Sequence, residues 1–192
     1  MQPIILASQS PRRKQLLEWA EIPFRVVAKE TDETYPPGLT LSYIPIHIAR
    51  AKAAAVIGEV EADSIVLAAD TVVVIDELII GKPKDPDDAV RMLSMLSGRK
   101  HQVVTGVVMV RGGEEQSFAE TTTVCFHKLT TEQIRFYVEK YKPFDKAGAY
   151  AIQEWIGVVG IESIQGDFYN VMGLPVSKVV QLLHRWHADQ IG

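Results

Sequence analysis

The strongest constraint on the fold lies in the first thirteen residues, which predict a strand that turns directly into a helix. Ile4, Ile5 and Leu6 form a short apolar run typical of a buried strand. Ser10 is a favoured helix N-cap residue, and Pro11 suits the first helical position because no backbone N–H is needed there. The chain therefore begins with a strand–turn–helix unit, which is a building block of α/β sheets.

The same turn concentrates hydroxyl groups and positive charge. Ser8, Ser10, Arg12 and Arg13 surround the predicted helix N-terminus. Such a terminus attracts anions, whereas the helix dipole disfavours cations there. Arginine at this place works against helix stability but offers bidentate recognition of phosphate. The conflict indicates an anionic ligand, and a polyphosphate in particular.

The remaining pattern predicts an α/β fold with a mixed, partly antiparallel sheet flanked by helices. Strands are predicted over about 24–28, 64–75, 78–80, 101–111 and 116–127, and helices over about 11–20, 40–58, 86–96, 130–140 and 175–187. Short strands and glycine-rich loops are predicted over 145–173. We expect one domain over residues 1–192, which could comprise two lobes with the active-site cleft between them.

Composition excludes several classes of function. A net charge of −4 argues against broad DNA or RNA binding, because that binding needs a basic face. No segment approaches the ~20 apolar residues of a membrane span, and the N-terminus lacks a signal-peptide pattern. We therefore expect a cytoplasmic protein that binds neither membranes nor nucleic acid polymers. Cys125 is the only cysteine, and we interpret it as a buried or half-buried strand residue rather than a nucleophile.

Asp70 is the first candidate for chemistry, because it interrupts the most apolar strand of the chain. A carboxylate buried in a strand costs several kcal/mol without partners. Asp70 has two interpretations. It is a structural residue whose carboxylate is hydrogen-bonded by the backbone or by a buried arginine, or it is a general base or metal ligand that lies at a bulge or strand end. Thr71 could add a hydroxyl to the same site. Glu33, in an acidic turn, could supply a second carboxylate for a divalent cation bound to phosphate.

Three further residues have both a plain and a functional interpretation. Lys52 lies on an alanine-rich helix and either is solvated or reaches toward phosphates. Lys82 follows a strand, where ligand-binding residues collect, and a solvated lysine is equally compatible. Gln153 offers a donor and an acceptor that suit a base edge, although its segment could be a tight core crossing.

Taken together, the motifs resemble the Maf family of nucleoside triphosphate pyrophosphatases over residues 3 to about 183. The matching segments are Ser8–Arg13, Glu33, Ala49–Ala53, Ala69–Val73, Gly81–Pro83, Leu96–Gly98, Asp145–Gln153 and Asn170–Pro175. The Asp145–Gln153 segment is similar to the branch that acts on dTTP and UTP, whereas a sister branch acts on 7-methyl-GTP.

The resemblance implies a fold similar to the inosine triphosphate pyrophosphatases, a homodimer, and hydrolysis between the α and β phosphates with Mg²⁺ or Mn²⁺. It implies that Asp70 activates water and holds the cation together with Glu33. It implies that base preference depends on Arg12, Thr71 and Gln153. Under the same resemblance, the residues expected to bind phosphate are Ser8, Ser10, Arg12, Arg13, Lys52 and Lys82.

Two alternatives stay open at this point. The same hydrolysis could act on a modified purine nucleotide such as 7-methyl-GTP. The protein could instead be a nucleotide-binding regulator of cell division whose hydrolysis is incidental. The carboxylates at Glu33 and Asp70 favour an enzyme, because a pure anion binder gains little from negative charge near phosphates.

Overall fold

The computed structural model describes residues 3–188. Strands are β1 (Ile4–Leu6), β2 (Phe24–Val26), β3 (Val66–Ile75), β4 (Leu78–Ile80), β5 (Lys100–Arg111), β6 (Glu114–Phe126) and β7 (Ile161–Gln165). Helices are α1 (Pro11–Trp19), α2 (Tyr43–Ile57), α3 (Pro86–Leu96), α4 (Thr131–Tyr141), α5 (Trp155–Gly160), α6 (Phe168–Met172) and α7 (Val176–Ala188), with a short 3-10 helix at Ala147–Ala149.

The strands form one mixed sheet in the order β2-β1-β3-β5-β6-β7, with β4 paired to β3. β1 runs parallel to β2 and to β3, with Ile5 opposite Val66 in the second pair. β4 is antiparallel to β3, and β7 is antiparallel to β6. The predicted mixed sheet with helices is therefore confirmed.

Local sequence signals account for most helix boundaries. The Ser10 side chain caps α1 and Pro11 opens it, while Asp85 accepts the backbone N–H of Asp88 at the start of α3. Thr130 forms the expected capping box with the residue three positions later. No helix among residues 3–188 is long and apolar enough to cross a membrane.

Two sequence predictions need correction. The second strand ends at Val26 rather than at position 28. The 145–173 segment, predicted as strands and loops, holds the 3-10 helix, α5 and α6 besides β7. These helices have three, six and five residues, so they are too short to show a helical period in the sequence.

The chain divides into two compact units. Among the described residues, the first consists of residues 3–70, 106–119 and 173–188, and the second of residues 71–105 and 120–172. The single domain with two lobes and a cleft between them stays a prediction.

In the first unit, α2 lies very close to strand β5. A Cβ atom added to Gly106 would lie 2.2 Å from the backbone nitrogen of Ile46, so only glycine fits this contact. Ala49 and Ala53 of α2 belong to the same buried hydrophobic cluster as Ile5 of β1. Small side chains therefore let the helix lie close to the sheet.

In the second unit, two aromatic rings pack around a buried histidine. His101 is 3% exposed, and its Nε2 lies 2.8 Å from the Tyr150 hydroxyl. Phe126 meets both rings edge to face, with centroids 5.1 and 5.0 Å from those of His101 and Tyr150. Burial lowers the pKa of His101 from 6.5 to about 4 and raises that of Tyr150. The histidine is therefore neutral in the folded protein at neutral pH.

This buried histidine makes stability depend on pH. Below pH 6.5 the His101 side chain is protonated in the unfolded chain, whereas in the folded protein it is protonated only below about pH 4. The contribution of neutral His101 to the free energy of unfolding is thus complete above pH 6.5. About 3 kcal/mol of that free energy is lost as the pH falls toward 4. We predict that His101→Gln flattens the dependence of unfolding free energy on pH between 4 and 6.5, measured by urea denaturation. The exposed His127→Gln is the control, and an unchanged slope in His101→Gln would contradict the assignment.

Candidate active site

The turn between β1 and α1 is organised around the hydroxyl of Ser8. The Ser8 Oγ accepts the backbone N–H of Ser10 at 3.2 Å and a guanidinium N–H of Arg13, from Nη1, at 3.1 Å. Arg13 also donates from Nε to the carbonyl oxygen of Gly173 at 2.7 Å. Ser8 and Arg13 are both buried. The predicted anion-binding turn is therefore tied to the segment before α7 through Arg13.

Arg13 is a buried cation in an electrostatically mixed environment. Burial lowers its pKa, an effect that Asp70 and Glu33 oppose and that neighbouring Arg12 reinforces. The two arginines and the two carboxylates therefore interact electrostatically within the first unit. An added anion near Arg12 and Arg13 would offset the repulsion between them.

Lys52 joins the two candidate carboxylates. Its Nζ donates to Asp70 Oδ1 at 2.6 Å and to Glu33 Oε1 at 2.8 Å. The side chains of Lys52 and Asp70 are 14% and 12% exposed, whereas that of Glu33 is 43% exposed. The interpretation of Lys52 as a solvated lysine is therefore wrong. The structure brings together Glu33, Lys52 and Asp70, although 37 positions of the chain separate the first of them from the last.

Asp70 lies inside the ten-residue strand β3, not at a bulge or strand end as expected. It is 8% exposed, and Ala69 before it and Val72 two positions after it are buried. The carboxylate can stay in this setting because Lys52 donates to it from α2 and because the buried Arg13 interacts with it electrostatically.

Thr71 belongs to the second unit and to a different hydrogen-bond chain. Its hydroxyl lies 2.9 Å from that of Thr105, which donates to the Asn170 carbonyl at 3.2 Å. Thr105 and Asn170 are fully buried. Sequence reasoning missed Thr105, although a threonine inside the apolar run of β5 could have indicated a buried polar contact.

The segment that carries Gln153 is held by residues on both sides of it. Tyr137, buried on α4, bonds through its hydroxyl to Glu154 and accepts the backbone N–H of Ala151 at 3.1 Å. Lys146 Nζ lies 3.6 Å from Glu154 Oε1. Gln153 itself is exposed. Residues 148–152 are buried, as expected of a tight core crossing, and Gln153 is displayed directly after them. Its role toward a base stays a prediction.

Lys82 is exposed just after β4 and next to the same segment. Gly148 N–H donates to the Gly81 carbonyl at 3.0 Å. Gly148 has a φ of 69°, and a Cβ there would lie 2.8 Å from Val73 Cγ2, so glycine is required.

The candidate site residues divide between the two units. The first unit contains Ser8, Ser10, Arg12, Arg13, Glu33, Lys52 and Asp70, and the second contains Thr71, Lys82 and Gln153.

The Glu33–Asp70 pair has the donor chemistry of a divalent-cation site. One ammonium nitrogen lies within 2.8 Å of an oxygen of each carboxylate, so the pair can share a cation. Mg²⁺ commonly takes only one or two protein carboxylates, with phosphate oxygens and water completing its shell. Among the described residues no group of three or more His, Cys, Asp or Glu could hold a metal ion. Two carboxylates fit the group that the resemblance implies.

Cys125 is half-buried on β6, as expected. Its Sγ donates to Glu162 Oε2 at 3.2 Å, and this hydrogen bond raises the pKa of the thiol. A raised pKa disfavours the reactive thiolate, in agreement with a structural role.

The mixed sheet, the arginine-bearing turn and the lysine-bridged carboxylates define an α/β protein with an arginine-bearing strand–helix turn and an acidic pair in the same unit. The chain belongs to the Maf family, since the model of the Maf-like protein family matches residues 3–186. This confirms the resemblance drawn from the sequence motifs.

Relatives of the chain carry consistent names. The dTTP/UTP pyrophosphatase of Cytophaga hutchinsonii is 52% identical over 95% of this chain and 83% of the relative. That of Bacillus cereus is 46% identical over 98% of each chain. Among solved structures, the Staphylococcus aureus Ham1 protein matches with a TM-score of 0.46 and 15% identity, over 65% of this chain and 72% of that one. A structural likeness of that extent carries no argument on function.

The lysine bridge leads to a stability prediction. Lys52→Met would leave the buried Asp70 carboxylate without its donor, and we expect it to lower the unfolding free energy by about 3 kcal/mol. Glu33→Gln acts at the exposed end of the bridge and should cost less than about 1 kcal/mol. Urea denaturation at pH 7 measures both, and an equal or smaller loss for Lys52→Met would contradict a buried bridge.

Proposed function

We propose that this protein is a nucleoside triphosphate pyrophosphatase that hydrolyses dTTP and UTP to the nucleoside monophosphate and pyrophosphate. The observation that carries the proposal is the Lys52 bridge, which holds a buried carboxylate in place near an arginine-bearing turn. The relatives support the proposal, because two proteins that are 52% and 46% identical to this chain are both named dTTP/UTP pyrophosphatase.

The cationic residues have the chemistry needed to hold a triphosphate. Arg12 can contact phosphate oxygens from the first turn of α1, while Arg13 holds the Ser8 hydroxyl in position. We expect Ser8 and Ser10 to add hydrogen bonds at the helix N-terminus. Lys52 and Lys82 supply positive charge for the phosphates. Such groups stabilise the charge that develops during transfer, which is the main protein contribution to phosphoryl chemistry.

Asp70 is the proposed base for the attacking water. As the water oxygen bonds to the α-phosphorus, a water proton passes to the Asp70 carboxylate. The bond from the α-phosphorus to the oxygen that bridges it to the β-phosphorus breaks, and pyrophosphate leaves with that electron pair. Lys52 keeps Asp70 fixed during this transfer, because its ammonium donates to Oδ1 at 2.6 Å.

We also propose that Glu33 and Asp70 hold Mg²⁺ or Mn²⁺, which when bound would offset phosphate charge. Arg12, Thr71 and Gln153 are the proposed determinants of base preference. Gln153 is suited to this role because Tyr137 and Glu154 anchor the backbone around it. The homodimer that the resemblance implies and the cytoplasmic location expected from the sequence pattern stay predictions.

The function is tested by pyrophosphate release from dTTP, UTP, CTP, 7-methyl-GTP and ITP in the presence of Mg²⁺. We expect preference for dTTP and UTP. Asp70→Asn should lower that activity at least about a hundredfold, because a positioned base is lost while the amide oxygen can still accept from Lys52.

The matched control is Glu115→Gln, which alters another carboxylate of the first unit that pairs with a basic residue of α2, Arg50. It should leave activity near that of the parent protein. Near-normal turnover in a folded Asp70→Asn protein would exclude Asp70 as the base. Preference for 7-methyl-GTP or ITP would overturn the substrate assignment.

A further inference from the structure

Gln153 lies in a tight turn of the second unit. The backbone N–H of Glu154 donates to the carbonyl oxygen of Ala151 at 3.1 Å, which places Ile152 and Gln153 at the two central positions of the turn. Ala151 and Ile152 are buried, whereas Gln153 is exposed. The turn therefore displays one polar side chain from a backbone whose preceding residues are buried.

One buried hydroxyl bonds to both ends of this turn. The Tyr137 hydroxyl accepts the backbone N–H of Ala151 at 3.1 Å and donates to the carboxylate of Glu154. The Tyr137 ring is fully buried on α4 and stacks on the ring of Tyr141, with centroids 5.0 Å apart. The first and last residues of the turn are thereby tied to the same buried side chain.

Lys146 adds a charged contact to the Glu154 carboxylate. Its ammonium lies 3.6 Å from Glu154 Oε1 and 2.8 Å from Asp145 Oδ1. Lys146 is buried and Glu154 is half-buried, so water screens their attraction less than it screens an exposed ion pair. The carboxylate thus meets a hydroxyl at Oε2 and an ammonium at Oε1.

We propose that Glu154 is a positioning residue that fixes Gln153 for recognition of the substrate base. The proposal rests on the proposed role of Gln153 in base preference. A glutamine amide carries a donor and an acceptor, and it distinguishes base edges well only when its backbone is held in one place. Uracil presents N3–H as a donor and O4 as an acceptor, whereas cytosine presents N3 as an acceptor and its amino group as a donor. Glu154 acts on this choice through the turn.

The test is a double-mutant cycle on Glu154 and Gln153. Calorimetry measures binding of the non-hydrolysable α,β-methylene analogues of UTP and CTP, so the result does not depend on turnover. We expect Gln153→Ala to lower the preference for the uracil analogue about tenfold and Glu154→Ala to lower it about fivefold. In the double variant the preference should equal that of Gln153→Ala alone, because Glu154 acts through Gln153.

Two results of the cycle would overturn the proposal. One is an unchanged preference in Glu154→Ala while Gln153→Ala lowers it. The other is a double variant in which the two losses multiply, because Glu154 would then act independently of Gln153. An unchanged preference in Gln153→Ala would exclude the role of Gln153 itself and the proposal with it. Intact discrimination and coupling without pyrophosphate release from UTP would support the proposal and count against the proposed hydrolysis alone.

The variants are chosen to keep the fold. In Glu154→Ala the buried ammonium of Lys146 keeps Asp145 as a partner, and Ala151 N–H keeps the Tyr137 hydroxyl. Glu154→Gln covers the case in which Glu154→Ala does not fold. It keeps an oxygen that can accept from Tyr137 and removes the charge opposite Lys146, so it should lower the preference about threefold. No change in a folded Glu154→Gln protein would overturn the proposal.

The matched control is Glu162→Ala. It removes another acidic side chain of the second unit that accepts from a side chain, the thiol of Cys125. The preference for the uracil analogue should stay that of the parent protein. A loss as large as that of Glu154→Ala would show that any such change in this unit disturbs base preference, and it would overturn the proposal.

Discussion

The Lys52 bridge between Asp70 and Glu33 is the interaction on which the site depends. Asp70 lies within a strand of buried apolar residues, where a lone carboxylate would cost several kcal/mol. Helix α2 approaches the sheet closely at Gly106 and its alanines, and the same helix carries Lys52. Close packing of a helix on a sheet therefore places the ammonium that stabilises a buried carboxylate in the strand.

A second interaction, a buried set of hydrogen bonds, organises the residues around Thr71. Thr71 follows Asp70 directly in β3, yet its hydroxyl contacts that of Thr105, which bonds to the Asn170 carbonyl. Charged groups surround Asp70, whereas hydroxyl and carbonyl groups surround Thr71. Two adjacent residues of one strand therefore lie in different chemical environments.

Much of this architecture is predictable from sequence, because its signals are local. The Ser10 cap, the Asp85 cap and the capping box at Thr130 each lie within a few residues of the group that they satisfy. The Lys52 bridge and the bond of Thr105 to Asn170 join residues 18 and 65 positions apart, so no short pattern indicates them. The helices α5 and α6 escape prediction for a different reason, since neither is long enough to display a period.

The central claim is that water held by Asp70 attacks the α-phosphorus of a pyrimidine nucleoside triphosphate. The most direct measurement is hydrolysis of UTP in water enriched in a heavy oxygen isotope, followed by mass spectrometry of both products. The account predicts one heavy oxygen in the uridine monophosphate and none in the pyrophosphate. A label in pyrophosphate, or release of labelled orthophosphate, would place the attack on another phosphorus and contradict the account.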